Sequence, residues 1–397
     1  MKILQICLKP PVPELDGGCK AINSLTQGFL AHNFEVKVLT LSTPKHPFQP
    51  KAISEEYQTK TKIEHTFVNT EVTIYGAFIN LFSCKSYNIE RFYSKNFEEL
   101  IKKNLQQNQY DIVILESLYV TKYSSIIREN TTAKVIYRAH NIEYEIWENN
   151  AKQEKGIKKS YLILLAKRLK QFEKKIINQF DGIAAITEND HQKLIQMGCR
   201  IPIEVFPFGI DVKKYEITSH PKSISIFHIG SMDWSPNEVG IKWFLDNVWN
   251  LISNQFPEVK LNLAGKNMPK WLLEHRQKNV IIHGEVADAI DFMHQNTIMI
   301  VPLFVGSGMR IKIIEAMALG KVIIATTIAA EGISYKVNEN IIIANTANEF
   351  IAAITNCLTN DIWCKKLEIN ANKMVATNYD NKVIVNKLVQ FFKHINS

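Results

Sequence analysis

The chain has 397 residues, 46% hydrophobic and 22% charged, with a formal net charge of +8. This is the make-up of a globular protein long enough for two cores, and it excludes a disordered, collagen-like or disulfide-stapled chain. No run approaches 18 unbroken apolar residues, and six cysteines without C-x-x-C spacing are expected to be reduced thiols in a cytoplasmic protein, with no structural zinc.

In chain order, the apolar stretch 1–8 ends at Lys9 and Pro10, too early for a signal peptide, and is expected to form the first strand. Strands follow at 35–41, 111–116, 134–138, 182–186 and 203–206, with helices at 21–32, 89–107, 142–150 and 189–197; residues 44–88 are mixed and give no order. Between Ala151 and Phe180, nine cations face two acids, a net +7 from one segment interleaved with Tyr161-Leu-Ile-Leu-Leu-Ala166. That segment reads either as a basic helix lying on an anionic membrane surface or as a solvated helix covering its own domain. Nucleic acid is not expected as a partner, because no binding module or arginine–aromatic pattern accompanies the charge.

Phe208-Gly-Ile-Asp-Val212 and the polar stretch to Ser223 read as a linker, after which the same style repeats with strands at 224–229, 259–263, 280–283, 298–302, 322–325 and 341–344. Strands alternating with helices predict parallel sheets covered on both faces. The domains are expected at 1–212 and 213–378, with a last helix at about 379–397 packing back on the first. Ser235-Pro-Asn-Glu238 has the spacing of a capping box opening the helix after strand 224–229.

One stretch carries chemistry on its face. Gly306-Ser-Gly-Met-Arg-Ile-Lys-Ile-Ile-Glu315 follows a buried strand and opens a helix at 310–319 that Gly320 closes. A helix N-terminus favours acidic side chains, yet this one begins with Arg310 and Lys312. A bound anion corrects that imbalance, with Gly306 and Gly308 admitting it to backbone N–H groups. The plain alternative is a surface ion pair between Lys312 and Glu315. In open α/β sheets ligands sit beyond the carboxyl ends of the strands, so Gly230-Ser-Met-Asp-Trp234, with Gly230 and Asp233, is expected beside this stretch.

With Gly17-Gly18 after the first strand, "FPFGID" at 206–211 and "KIIEAMALGKVIIAT" at 312–326, the chain resembles the GT-B retaining glycosyltransferases of family 4 over nearly its whole length. "RAHNIEYEIW" (138–147) and "GSMDWSPNEVGIKWF" (230–244) are similar to a branch associated with bacterial surface-polysaccharide synthesis. The resemblance implies an α/β fold of two Rossmann-like domains with parallel sheets facing across a cleft, metal-independent transfer from a nucleotide-diphosphate sugar to a glycan or lipid-linked acceptor, and retention at the anomeric carbon. It implies that Glu315 accepts hydrogen bonds from the donor ribose, that His140 lies near the transferred sugar, that Gly17 and Gly18 pass near donor and acceptor, and that Gly284 and Glu285 border the base. The sequence departs from the family pattern at Ser307, where a second glutamate is usual, and at Ser231 and Pro236-Asn237, where an arginine and a lysine are usual. Arg310 and Lys312, with the loop Gly306, Ser307, Gly308 and Met309, are expected to replace that missing phosphate-binding charge. No D-x-D sequence supports a metal on the diphosphate, and no other cofactor is expected. Two alternatives stay open: a sugar-nucleotide 2-epimerase of the same fold, and an inactive GT-B binding protein. A nicotinamide dehydrogenase is disfavoured because no G-x-G-x-x-G follows a strand.

Overall fold

In the computed structural model, residues 1–215, 224–306 and 308–396 are described. The chain forms two compact units, Met1–Gly209 with Ile384–Ser397, and Ile210–Val383. Ser307 and the part of the expected linker at 216–223 lie outside the described residues.

The first unit is built on β1 (Lys2–Cys7), β2 (Glu35–Ser42), β3 (Glu64–Phe67), β4 (Ile112–Glu116), β5 (Lys134–Ala139), β6 (Gly182–Ala185) and β7 (Ile203–Val205). These pair in parallel in the order β3-β2-β1-β4-β5-β6-β7. The order reverses between β1 and β4, which opens a crevice at their carboxyl ends. β1, β4 and β5 are buried almost throughout, as expected for strands covered on both faces. One face packs Leu4, Val113, Val135 and Tyr137; the other packs Ile3, Ile112 and Ile136 against Ile22 and Phe29, together with Ile384, Leu388, Phe391 and Phe392 of the last helix, Asn381–Asn396.

The second unit has β8 (Ser225–Ile229), β9 (Lys260–Ala264), β10 (Val280–Gly284), β11 (Ile298–Val301), β12 (Val322–Ala325) and β13 (Ile342–Ile343). All pair in parallel, in the order β10-β9-β8-β11-β12-β13 with its own reversal at β8 and β11. Both units are therefore doubly wound, Rossmann-like layers.

Several local expectations are corrected. Gly17 and Gly18 are not loop residues: they open the helix Gly17–Ala31, where the Asp16 carboxylate accepts from Cys19 N at 2.9 Å as its cap. The helix expected at 89–107 divides into Tyr87–Glu90 and Lys95–Gln107, because Ser94 caps the second piece. The basic segment is two helices, Glu143–Gln153 and Gly156–Ile176, broken at Gly156, whose φ of 60° no helix interior accommodates. Ser235 does not cap its helix: Glu238, cast as its reciprocal partner, instead accepts from Trp271 Nε1 at 2.7 Å. The capping box that does form is at Thr346 and Glu349, in the same sequence pattern. Residues 44–88 supply the edge strand β3 and the short helices Glu55–Thr61 and Ile74–Leu81.

Candidate active site

In the second unit the strand ends converge through glycines. Gly230 N donates to Ala264 O at 3.1 Å and Gly265 N to Gly284 O at 2.7 Å, linking the ends of β8, β9 and β10. A Cβ on Gly265 would stand 1.8 Å from Gly230 O, so only glycine allows these loops to lie so close. Gly284 ends β10 with a φ of 69°, and the exposed Glu285 after it lies 3.4 Å from Lys266 Nζ. Asp233 is exposed in the loop after β8, where Ser231 Oγ donates to it.

The helix Ile311–Ala318 begins at this same edge, with Arg310 in its N-cap position. Lys312 does not pair with Glu315. Its ammonium reaches back to the end of β8, donating to Ile229 O and Asn237 Oδ1 at 3.1 Å each, 3.5 Å from His228 Nε2. All three partners are neutral. Burial, and then the Arg310 charge, pull the ammonium down to about 7. Burial likewise holds His228 well below its ordinary value, so the imidazole is neutral. Gly230 permits the approach, since a Cβ there would lie 2.9 Å from Lys312 Nζ.

Arg310 is buried, and burial lowers its guanidinium to about 10, so it remains charged. It stacks over the Trp234 ring at 4.9 Å and donates to Gly308 O. The exposed Gly306 lies under this pair: a Cβ there would meet Arg310 Nη2 at 2.7 Å and the indole at 3.1 Å. Met309 and Gly308 are half-buried beside it. Glu315 is buried on the helix and accepts from Tyr215 OH at 2.9 Å. The structure thus gathers Gly230, Gly306, Gly308, Met309, Arg310 and Lys312 with Trp234 at one edge of the sheet.

The first unit carries its own cluster. Glu116, at the end of β4 and fully buried, accepts from Gln5 Nε2 at 3.0 Å, His140 Nε2 at 2.7 Å and Arg138 Nη1 at 3.3 Å. Burial raises the Glu116 carboxyl, but Arg138 and these hydrogen bonds hold it below its ordinary value. Burial lowers the His140 imidazole despite that carboxylate, so Nε2–H donates to Glu116 and Nδ1 is left as an acceptor. Lys9 Nζ lies 2.7 Å from both Asp16 oxygens and His46 Nε2 2.8 Å from one of them. Gly18 leaves room for this ammonium: a Cβ there would stand 2.6 Å from Lys9 Nζ and push the lysine aside. Asp16, Cys19 and His46 present ligand atoms within 4.8 Å of one another. Lys9 already supplies their counter-charge, however, and burial pushes the Cys19 thiol up to about 11, so this is a poor metal site. Glu143 is buried, accepts from Tyr119 OH at 3.0 Å, and burial pushes it up to about 7.

Sequence reasoning missed Glu116, Arg138 and Gln5, whose polar side chains in otherwise apolar strands were the available signal. It also missed His228 and Asn237, which only the fold brings to Lys312.

A glycine-lined strand edge, a cationic helix start and a buried helix carboxylate thus stand together on a doubly wound α/β sheet. Residues 16–214 match the model described as Glycosyltransferase Family 4, and residues 223–360 that of Glycosyl transferases group 1. The chain belongs to these GT-B glycosyltransferases and is a transferase. A Klebsiella pneumoniae protein described as an uncharacterized 44.6 kDa protein in cps region is 27% identical over 297 residues, covering 70% of this chain and 74% of that one. Sucrose-phosphate synthase from Thermosynechococcus elongatus shares the fold with a TM-score of 0.71 at 15% identity, over 100% of this chain and 99% of that one. Anabaena HepE in complex with UDP-glucose does so with a TM-score of 0.65 at 13% identity, over 99% and 100%.

Proposed function

We propose that the protein moves a sugar from a nucleoside-diphosphate donor to a glycan or lipid-linked acceptor, with retention of anomeric configuration and without a metal, in bacterial surface-polysaccharide synthesis on the cytoplasmic side. The observation that carries the donor reading is Lys312: a cation enclosed among neutral partners at a strand edge, beside Arg310, is stabilised when a dianionic ligand arrives. Transfer breaks the bond between the anomeric carbon and the diphosphate, so charge grows on phosphate oxygens. Arg310, Lys312 and the N–H groups opening the helix Ile311–Ala318 stabilise that charge, each charge-assisted bond contributing roughly 1.5–3 kcal/mol. Glu315 is assigned to the ribose hydroxyls, Gly284 and Glu285 to the base, and His140, through its Nδ1, to a sugar hydroxyl.

The UDP and UDP-glucose complexes of Anabaena HepE support a uridine donor, and the Klebsiella relative in a cps region supports the polysaccharide setting. Retention by a front-face route, in which the leaving phosphate takes the acceptor proton, is favoured because the carboxylates near His140 are engaged: Glu116 by Arg138 and His140, Glu143 by Tyr119. The basic segment 151–180 is read as facing an anionic membrane; no described helix is long and apolar enough to cross one. The deciding experiment is nucleotide release from a panel of sugar donors with and without a lipid-linked acceptor. Release that requires acceptor supports transfer; acceptor-independent turnover, or none with any donor that stabilises the protein thermally, rejects it.

A further inference from the structure

The helix Ile74–Leu81 has no reason to exist in water. Tyr75, Phe78, Ile79, Leu81 and Phe82 are all exposed, Tyr75 at 76% and Phe82 at 81%, and the Phe78 and Phe82 rings touch edge to face at 5.3 Å. Its polar groups, by contrast, are held by the body of the protein. Arg168 Nη1 donates to Asn80 O at 2.7 Å and to Asn80 Oδ1 at 2.9 Å, and its Nη2 donates to Leu81 O at 3.1 Å. Arg91 Nη1 holds Thr70 O at 2.6 Å, Thr73 caps the first turn at Gly76 N, and Tyr87 OH packs where a Gly76 Cβ would be. The backbone is clamped to the surface while the large side chains point away. A contiguous exposed apolar patch of this kind marks an interaction surface.

The helix Gly156–Ile176 that supplies Arg168 fixes the kind of partner. Its exposed side chains are Ile157, Lys158, Lys159, Ser160, Ile163, Lys167, Gln171, Lys174 and Lys175; Ile157 is 90% exposed and eleven residues from Arg168, so it lies on the same face. Few acids oppose these lysines: Glu154 offsets Lys158 at 2.6 Å, while the buried Glu173 accepts from Glu143 N and Tyr144 N, capping the preceding helix. Apolar aromatics flanked by a surplus of lysines over acids fit an anionic lipid surface, where rings enter the headgroup boundary and cations meet lipid phosphates. A second copy of the chain fits poorly, because joining two such faces would bring two lysine-rich helices together.

We propose that Ile74–Phe82 inserts into the interfacial layer of an anionic membrane, with the helix Gly156–Ile176 as its electrostatic support. This deepens the membrane-surface reading of segment 151–180 and is independent of the donor chemistry. The test is co-sedimentation of the full chain with phosphatidylcholine vesicles, with and without phosphatidylglycerol, for wild type, Phe78→Ser/Phe82→Ser and Lys158→Glu/Lys159→Glu/Lys167→Glu. Wild type is expected to bind the anionic vesicles, the aromatic variant about tenfold or more weakly at an unchanged thermal midpoint, and the charge variant to lose its salt-sensitive binding. Cys84, exposed two residues beyond Phe82, offers a native thiol for a polarity-sensitive fluorophore, which is expected to shift to the blue only with anionic vesicles. An aromatic variant that binds as tightly as wild type, or an unshifted fluorophore, overturns insertion; if the charge variant still fails to bind, the basic-surface reading stands alone. Wild type that ignores anionic vesicles but loses a dimer on Phe78→Ser/Phe82→Ser overturns both in favour of a second copy.

Discussion

Lys312 provides a pH signature that ties the structure to the donor. Its ammonium sits at about 7 because burial and the Arg310 charge oppose protonation, against an ordinary value of about 10.4. In the free protein about one-half is charged at pH 7, about one-tenth at pH 8 and about one-hundredth at pH 9. A diphosphate that needs the charged form must draw a proton in with it. Binding of UDP is therefore expected to take up about 0.9 proton at pH 8, and its affinity to fall about 50-fold from pH 7 to pH 9, roughly 1.4 kcal/mol per pH unit at the alkaline end. Titration calorimetry in buffers of differing ionisation enthalpy measures the uptake, and the phosphate's own second proton, lost near pH 6, does not interfere above pH 7.5. Lys312→Met should abolish the uptake and flatten the profile. The folded value being depressed, the unfolded chain holds the extra proton between about 7 and 10.4, so the ligand-free enzyme should also gain stability as pH rises through that window, and the variant should not. UDP binding with no proton uptake at pH 8, or uptake that persists in Lys312→Met, would refute the assignment.

Arg310→Ala is expected to reduce kcat/KM by about 10²-fold or more, with little change in thermal midpoint, because the guanidinium is asked to bind developing charge rather than to hold the fold; steady-state kinetics beside a melting curve separates the two. Arg138→Met leaves Glu116 buried with a weakened set of partners and should destabilise the protein by about 3–5 kcal/mol, seen in urea denaturation. Gly240→Ala would place a Cβ 2.0 Å from Pro302 O, a backbone atom that cannot yield cheaply, so a stability loss of at least about 1–3 kcal/mol is expected in the same assay.

The sequence by itself determined the architecture wherever apolar periodicity was strong. β1, β4, β5, β11 and β12 are buried runs legible as such, and the alternation of such runs with helical spacing along both halves is enough to predict parallel layers. It also showed that Arg310 and Lys312 are misplaced for an ordinary helix start. What the sequence did not determine was where side chains with several acceptable partners would go. Glu238 fits a capping box by spacing, but Trp271, 33 residues away, offers its indole N–H and wins. Lys312 fits an i,i+3 pair with Glu315, yet β8 ends where its ammonium reaches a carbonyl, an amide and an imidazole, while Tyr215 takes Glu315. Residues 71–82 lie in the mixed stretch 44–88, which gave no order by pattern; the tertiary clamp by Arg91 and Arg168 sets their large apolar side chains outward. Local pattern fixes which elements form because it acts over a few residues. Partners drawn from 21 to 100 residues away are chosen by chain topology, which no short-range spacing encodes.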